Sequence, residues 1–223
     1  MFLGRNTMLD YKKYILYSLI TIPVYTLFCY LTKRTVDPVI GGLLVGGVVL
    51  LLSFIDLRKI KKDFASMKSH VNEYKLSQDA EIFISKQLKL LNETKVPSIK
   101  NMIMLNIAGA YITQGDNVDG KKYLDALNLN DFDRVNFKNA VLNKLLLLYK
   151  INEDEEANIL YDSVFKEDYE KGGQLFKTVK ILRFQGDVQE GIKALSKLNM
   201  EEGSEIYREV IKMAKEIILE NIK

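Results

Sequence analysis

Two uncharged stretches near the N-terminus decide the fold: YILYSLITIPVYTLFCYL, residues 14–31, and VIGGLLVGGVVLLLSFI, residues 39–55. A helix rises about 1.5 Å per residue, so roughly 17 to 25 apolar residues are needed to cross the hydrocarbon of a bilayer. Both stretches reach that length, and neither offers the polar face that a helix of a soluble domain keeps toward water. We therefore predict two transmembrane helices joined by a short link.

Basic residues flank these stretches unequally. Lys and Arg in short flanks are retained on the cytoplasmic side, so we predict an integral protein of the cell membrane with both termini in the cytoplasm. The cations that come after the second stretch also suit contact with anionic lipid headgroups. The flanking cations are Arg5, Lys12 and Lys13 before the first stretch and Arg58, Lys59, Lys61 and Lys62 after the second, against Lys33 and Arg34 in the link.

The second stretch carries the signals of a helix start and of a helix contact. Asp37 and Pro38 predict an N-cap and a first helical residue. Gly42 and Gly46 form a GxxxG pair, which lets the backbone of another helix approach closely. Two partners for this packing face remain open: the first span of the same chain, or a second copy in a homodimer. No charged residue lies inside either stretch, so an ion or proton pathway is not indicated.

The composition favours helices throughout. Only 3 prolines occur in 223 residues, and Leu, Ile, Lys and Glu are abundant, so we expect an all-α protein. The net charge of +3 comes from interleaved cations and anions, which gives nucleic-acid binding no support. A single cysteine, Cys29, and a single histidine, His70, supply neither a disulfide framework nor a metal site. We predict a membrane anchor at residues 1–57 and a helical domain at residues 58–223.

Three turns of similar type punctuate the helical domain. Gly115-Asp116, Asn152-Glu153 and Gly186-Asp187 each come after one run of apolar residues at helical spacing and precede another. Glycine past a helix end favours the left-handed conformation, and Asp caps the next helix. The turns are 37 and then 34 residues apart. This spacing predicts a series of helix hairpins.

A helix hairpin repeated near every 34 residues resembles the tetratricopeptide repeat (TPR) family. The resemblance covers residues 101–198, and IAGAYITQGD, residues 107–116, matches that family's pattern most fully. It implies a TPR-like solenoid, with residues 205–222 as the capping helix at its C-terminal end. The chain departs from the family at Gly120 and Gly191, where alanine is usual, and at Lys144, where an apolar residue is usual.

In the family that this chain resembles, the first helix of each hairpin lines a concave groove that binds peptides. An apolar groove bordered by Tyr, Lys and Arg suits an extended or helical peptide. The other interpretation is that these side chains only pack against neighbouring helices. The residues that the resemblance places in the groove are Leu105, Gly109, Ile112, Leu142, Leu146, Tyr149, Phe176, Lys180 and Arg183.

The sequence contains no phosphate-binding loop, no GxSxG and no HExxH motif, so we expect neither an enzyme nor a cofactor. The remaining function class is binding. We expect a membrane-anchored scaffold that presents a TPR-like domain to an unknown partner protein. A second hypothesis makes the chain an accessory or regulatory subunit of a membrane transport or secretion complex.

Overall fold

The computed structural model describes residues 11–132, 134–165, 171–185, 187–196 and 205–222, so Arg5 and Gly186 lie outside the described residues. Within these ranges every regular element is helical and none is a strand, which confirms the all-α class. A 3₁₀ turn at Leu129–Asp131 comes after α5, and a π-helical turn at Ile181–Gln185 comes after α8. The helices are α1 (Tyr11–Leu31), α2 (Pro38–Ser77), α3 (Ala80–Glu93), α4 (Pro97–Thr113), α5 (Asn117–Asp125), α6 (Arg134–Lys150), α7 (Asp154–Phe165), α8 (Lys171–Lys180), α9 (Val188–Ser196) and α10 (Glu205–Ile222).

Among the described residues, α1 and α2 are the two helices that are long and apolar enough to cross a membrane. They pack against each other, yet most of their apolar side chains face outward. Tyr30 is 79 % exposed, and Leu43 and Leu50 are each 72 % exposed. A continuous apolar surface of this extent is unfavourable in water and is typical of contact with a membrane or a partner. The structure thus confirms the pair of apolar helices.

The start of α2 matches the cap that the sequence predicts. The Oδ1 atom of Asp37 accepts hydrogen bonds from the backbone N–H of Val39 at 2.8 Å and of Ile40 at 3.4 Å. These bonds satisfy two of the N–H groups that a helix start leaves without a partner, and Pro38 needs none. Helix α2 therefore begins at Pro38, and the link from the end of α1 at Leu31 is short.

Helix α2 continues for 40 residues without a break. At about 1.5 Å per residue its length is about 60 Å, twice the hydrocarbon thickness. The helix ends where Gln78 adopts a left-handed φ of 57°, and α3 then returns along it. Tyr74 stacks on Phe83 at 4.6 Å between ring centroids, and near the other end of α3 Thr94 bonds to Asp63. The apolar segment of α2 and residues 56–77 that follow it thus belong to one uninterrupted helix, against which α3 packs.

Packing divides the chain into two compact units, and the division falls inside α4. The first comprises Met1–Ile103 with Asn130–Asp133, and the second comprises Met104–Leu129 with Arg134–Lys223, so far as these residues are described. The predicted boundary between the anchor and the helical domain, at residues 57 and 58, is placed at the expected membrane surface and not by packing. It stays a prediction.

Candidate partner-binding surface

The first two predicted turns share one backbone geometry. Gly115 has a φ of +85° and Asn152 a φ of 62°, so both residues adopt the left-handed conformation just past a helix end. The N–H of the next residue bonds to the carbonyl five residues back, from Asp116 to Tyr111 at 2.9 Å and from Glu153 to Leu148 at 3.0 Å. This arrangement is a Schellman motif, which satisfies the last carbonyls of the helix.

The helix after each turn begins in a similar way. The Oδ1 of Asp116 accepts from the N–H of Asp119 at 3.1 Å, and that of Asp187 accepts from Glu190 at 2.9 Å. In the middle turn the backbone carbonyl of Glu153 accepts from Ala157 at 3.0 Å. The helices after the first and third turns thus share an Asp cap, and the helix after the middle turn shares only the first backbone hydrogen bond.

The two glycines that depart from the TPR pattern lie close to the chain segment before the preceding turn. Gly120 of α5 and Gly191 of α9 are both buried. A Cβ on Gly120 would lie 2.5 Å from Cγ1 of Ile112, and a Cβ on Gly191 would lie 2.5 Å from Cγ of Leu182. Alanine at either position would therefore have to displace the facing side chain.

Lys144 departs from the family at a position that is normally apolar, and its partner explains the change. Its Nζ lies 3.3 Å from Oε1 of Glu156, and its side chain is only 12 % exposed. The other oxygen of Glu156 accepts a hydrogen bond from Lys121. One carboxylate on α7 thus joins a lysine on α5 to a lysine on α6.

The nine predicted groove residues differ widely in exposure. On α4, Leu105 and Ile112 are buried and Gly109 is half-buried; on α6, Leu146 and Tyr149 are buried and Leu142 is half-buried. From the third hairpin, Phe176 is buried whereas Lys180 and Arg183 are half-buried. That these nine residues line a partner-binding groove stays a prediction.

Tyr149 and Phe176 pack against each other inside the second unit. Their rings are stacked at 6.1 Å between centroids, and neither residue exposes more than 1 % of its surface. The hydroxyl of Tyr149 donates to Oδ1 of Asn158 at 2.9 Å. Burial raises the pKa of the Tyr149 phenol, so the hydroxyl keeps its proton at neutral pH and remains a donor. The two rings join α6 to α8 as core residues.

The cations of the predicted groove are bound within the unit. Arg183 donates to the backbone carbonyl of Tyr149 and to Oδ1 of Asn152, and its Nη1 lies 3.2 Å from Asp154. A guanidinium at this place satisfies the carbonyls at the C-terminal end of α6. Lys180 donates to both carboxylate oxygens of Asp162 at 2.7 and 2.8 Å.

A cavity of about 300 Å³ lies where α10 meets α6 and the π-helical turn. Helix α10 buries Val210 and Ala214, and Lys150 donates to Oε2 of Glu209 at 2.8 Å across the contact. That hydrogen bond lowers the pKa of the Glu209 carboxyl. Two predicted groove residues therefore face the C-terminal helix, a contact that the sequence did not reveal. The lining residues are Tyr149, Lys150, Arg183, Glu209, Lys212, Met213, Glu216, Ile217 and Glu220.

The glycine pair of the second span does not face α1. A Cβ on Gly42 or Gly46 would meet nothing within 4 Å, whereas a Cβ on Gly41 would lie 3.1 Å from the ring of Tyr25. The close approach of α1 therefore occurs one residue before the predicted pair. Of the two partners left open for Gly42 and Gly46, a second copy stays a prediction.

The described part of the chain holds no group of three or more side chains suited to a metal ion. Desolvation lowers the pKa of His70, which favours the neutral imidazole, and its Nδ1 is buried without a hydrogen-bond partner.

Comparisons of the chain with protein-family models, with curated proteins and with solved structures found no match.

Proposed function

We propose that the protein is a membrane-anchored interaction module that presents its second unit to a partner protein on the cytoplasmic face. The observation that carries the proposal is the continuity of α2, which runs from an apolar span into a long helical rod. A rod of this kind keeps the chain beyond Ser77 attached to the membrane. The unequal basic flanks, with four cations at residues 58–62 and two in the link, support a cytoplasmic position for both termini.

We propose further that α4 to α9 form three TPR-like hairpins stacked in series. Support comes from the repeated turns and from contacts that join one hairpin to the next. Glu156 of the second hairpin contacts Lys121 of the first, and Arg183 of the third contacts the turn at Asn152. Stacking of this kind is what allows repeat proteins to present an extended binding surface.

Partner binding is best tested with a photo-crosslinking residue rather than with a charge in the core. Phe176→Glu would bury a carboxylate at a fully buried position and unfold the unit. Leu142, in contrast, is a predicted groove residue with part of its surface exposed. A photo-crosslinker at Leu142 in native membranes is expected to give one discrete adduct with a partner protein. The matched control is Ile159 on α7, which is 65 % exposed and belongs to the second helix of its hairpin.

An adduct at Leu142 that is absent at Ile159 would support the groove. Equal adducts at both positions, or none at Leu142, would contradict it. The second hypothesis, an accessory subunit of a membrane complex, is favoured by the open space beside Gly42 and Gly46. It predicts instead that Gly42→Leu with Gly46→Leu dissociates a stoichiometric membrane partner while leaving the Leu142 adduct unchanged.

A further inference from the structure

Just beyond the apolar part of α2, the acidic side chains bind hydroxyl groups of the same unit, whereas the basic side chains are exposed. The two carboxylates point inward: Tyr14 donates to Oδ2 of Asp56 at 2.8 Å, and Thr94 donates to Oδ2 of Asp63 at 2.7 Å. Asp63 is only 8 % exposed. Each of these carboxylates thus accepts a hydrogen bond from a hydroxyl group outside α2.

The cations between these carboxylates are all exposed. Arg58 lies over the ring of Phe54, 4.6 Å from its centroid, which holds the guanidinium at the end of the apolar segment. Lys59, Lys61 and Lys62 have no carboxylate partner in the described part of the chain. With 3.6 residues per turn, Arg58, Lys61 and Lys62 fall on one side of α2, whereas Lys59 falls on the same side as Asp56 and Asp63.

The return of α3 adds a cation that is distant in sequence. The hydrogen bond between Thr94 and Asp63 fixes the end of α3 beside the first turns of α2 beyond the span. Lys95 is the next residue and is exposed. It therefore lies near the level of Lys62 along α2, on the side of Asp63, so the cations surround the helix at this level. We call Arg58, Lys59, Lys61, Lys62 and Lys95 the basic belt.

We propose that the basic belt binds the headgroups of anionic phospholipids. Clustered cations directly beyond a span lie at the depth of the headgroups, where the surface potential of an anionic leaflet is strongest. The proposal rests on the membrane anchoring of the proposed function and is independent of its partner protein. It goes beyond a topology signal, because it requires that the folded chain select one lipid over another.

Lipid selection can be measured on the full chain reconstituted into phosphatidylcholine vesicles. The probe is spin-labelled phosphatidylglycerol or spin-labelled phosphatidylcholine, and the fraction immobilised at the protein is read by electron paramagnetic resonance. We expect a several-fold preference for phosphatidylglycerol over phosphatidylcholine. Added salt should reduce this preference, because it shortens the Debye length, which is about 8 Å at physiological ionic strength. Vesicles hold the protein in both orientations, so a topology signal alone produces no such preference.

Charge-changing variants decide whether the belt is responsible. Replacing Lys59, Lys61, Lys62 and Lys95 with Gln should abolish the preference, and replacing the same four residues with Arg should retain it. Lys95→Gln alone should reduce it, whereas Lys75→Gln should not, since Lys75 lies about 20 Å beyond Lys62 along α2. Equal effects of Lys95→Gln and Lys75→Gln would overturn the proposed lipid binding but not the membrane anchoring. The same holds if the chain stays in the vesicles and shows no lipid preference. Loss of the chain on alkaline washing would overturn the anchoring as well.

Discussion

Phe176→Ala is expected to lower the free energy of unfolding of the second unit by about 3 to 5 kcal/mol. The ring exposes none of its surface and stacks on Tyr149, so its removal loses apolar burial and leaves a cavity between α6 and α8. Denaturant unfolding of the full chain in mild detergent, followed by far-ultraviolet circular dichroism, measures the loss. A large loss would assign Phe176 to the core rather than to a partner contact.

The matched control for Phe176 is Leu219→Ala. Leu219 is 63 % exposed on α10, and exposed substitutions change stability by about 0.5 kcal/mol or less. If the two variants unfold at the same denaturant concentration, the packing described for Tyr149 and Phe176 is wrong.

Gly191→Ala and Gly120→Ala are each expected to destabilise the second unit by about 1 to 3 kcal/mol, the usual cost of overpacking. This result is opposite to the gain that alanine normally brings inside a helix. The cause is the 2.5 Å separation between the added Cβ and a facing side chain, Ile112 for Gly120 and Leu182 for Gly191. The same unfolding measurement applies.

Gly109→Ala is the control, because Gly109 lies inside α4 and an added Cβ would make only ordinary van der Waals contact. Its added Cβ would lie 3.8 Å from Cδ2 of Leu147, so we expect a gain of about 0.5 to 1 kcal/mol. Combining Gly191→Ala with Leu182→Ala should cost less than the sum of the single changes, since both act on one contact. Strict additivity, or stabilisation by Gly191→Ala, would contradict the close approach of α9 to the π-helical turn.

The sequence predicts the features of this fold that depend on neighbours along the chain. The two apolar helices result from long uncharged stretches, and the cap at Asp37 results from two adjacent residues. The left-handed turn at Gly115 is local in the same sense, because glycine adopts a positive φ without steric cost. These predictions are confirmed because little tertiary information enters them.

Features that depend on tertiary contacts could not be predicted from the sequence. Which face of the second span meets α1 is decided by packing, and the contact falls on Gly41 because Tyr25 lies there. Lys95 joins the basic belt only because Thr94 bonds to Asp63. The burial of Tyr149 depends on α8, and the wall that α10 adds to the cavity depends on a contact across 59 residues between Lys150 and Glu209.

The pair of membrane spans is the central claim, and cysteine accessibility tests it most directly. In a Cys29→Ala background, Thr35→Cys places one thiol in the link and Glu220→Cys places one on α10; both positions are exposed. Intact cells are treated with a membrane-impermeant maleimide. Two spans with cytoplasmic termini predict that Thr35→Cys is labelled directly and that Glu220→Cys is labelled only after permeabilisation. Labelling of both positions from the same side of the membrane would contradict the account, because it would mean that the second helix does not cross.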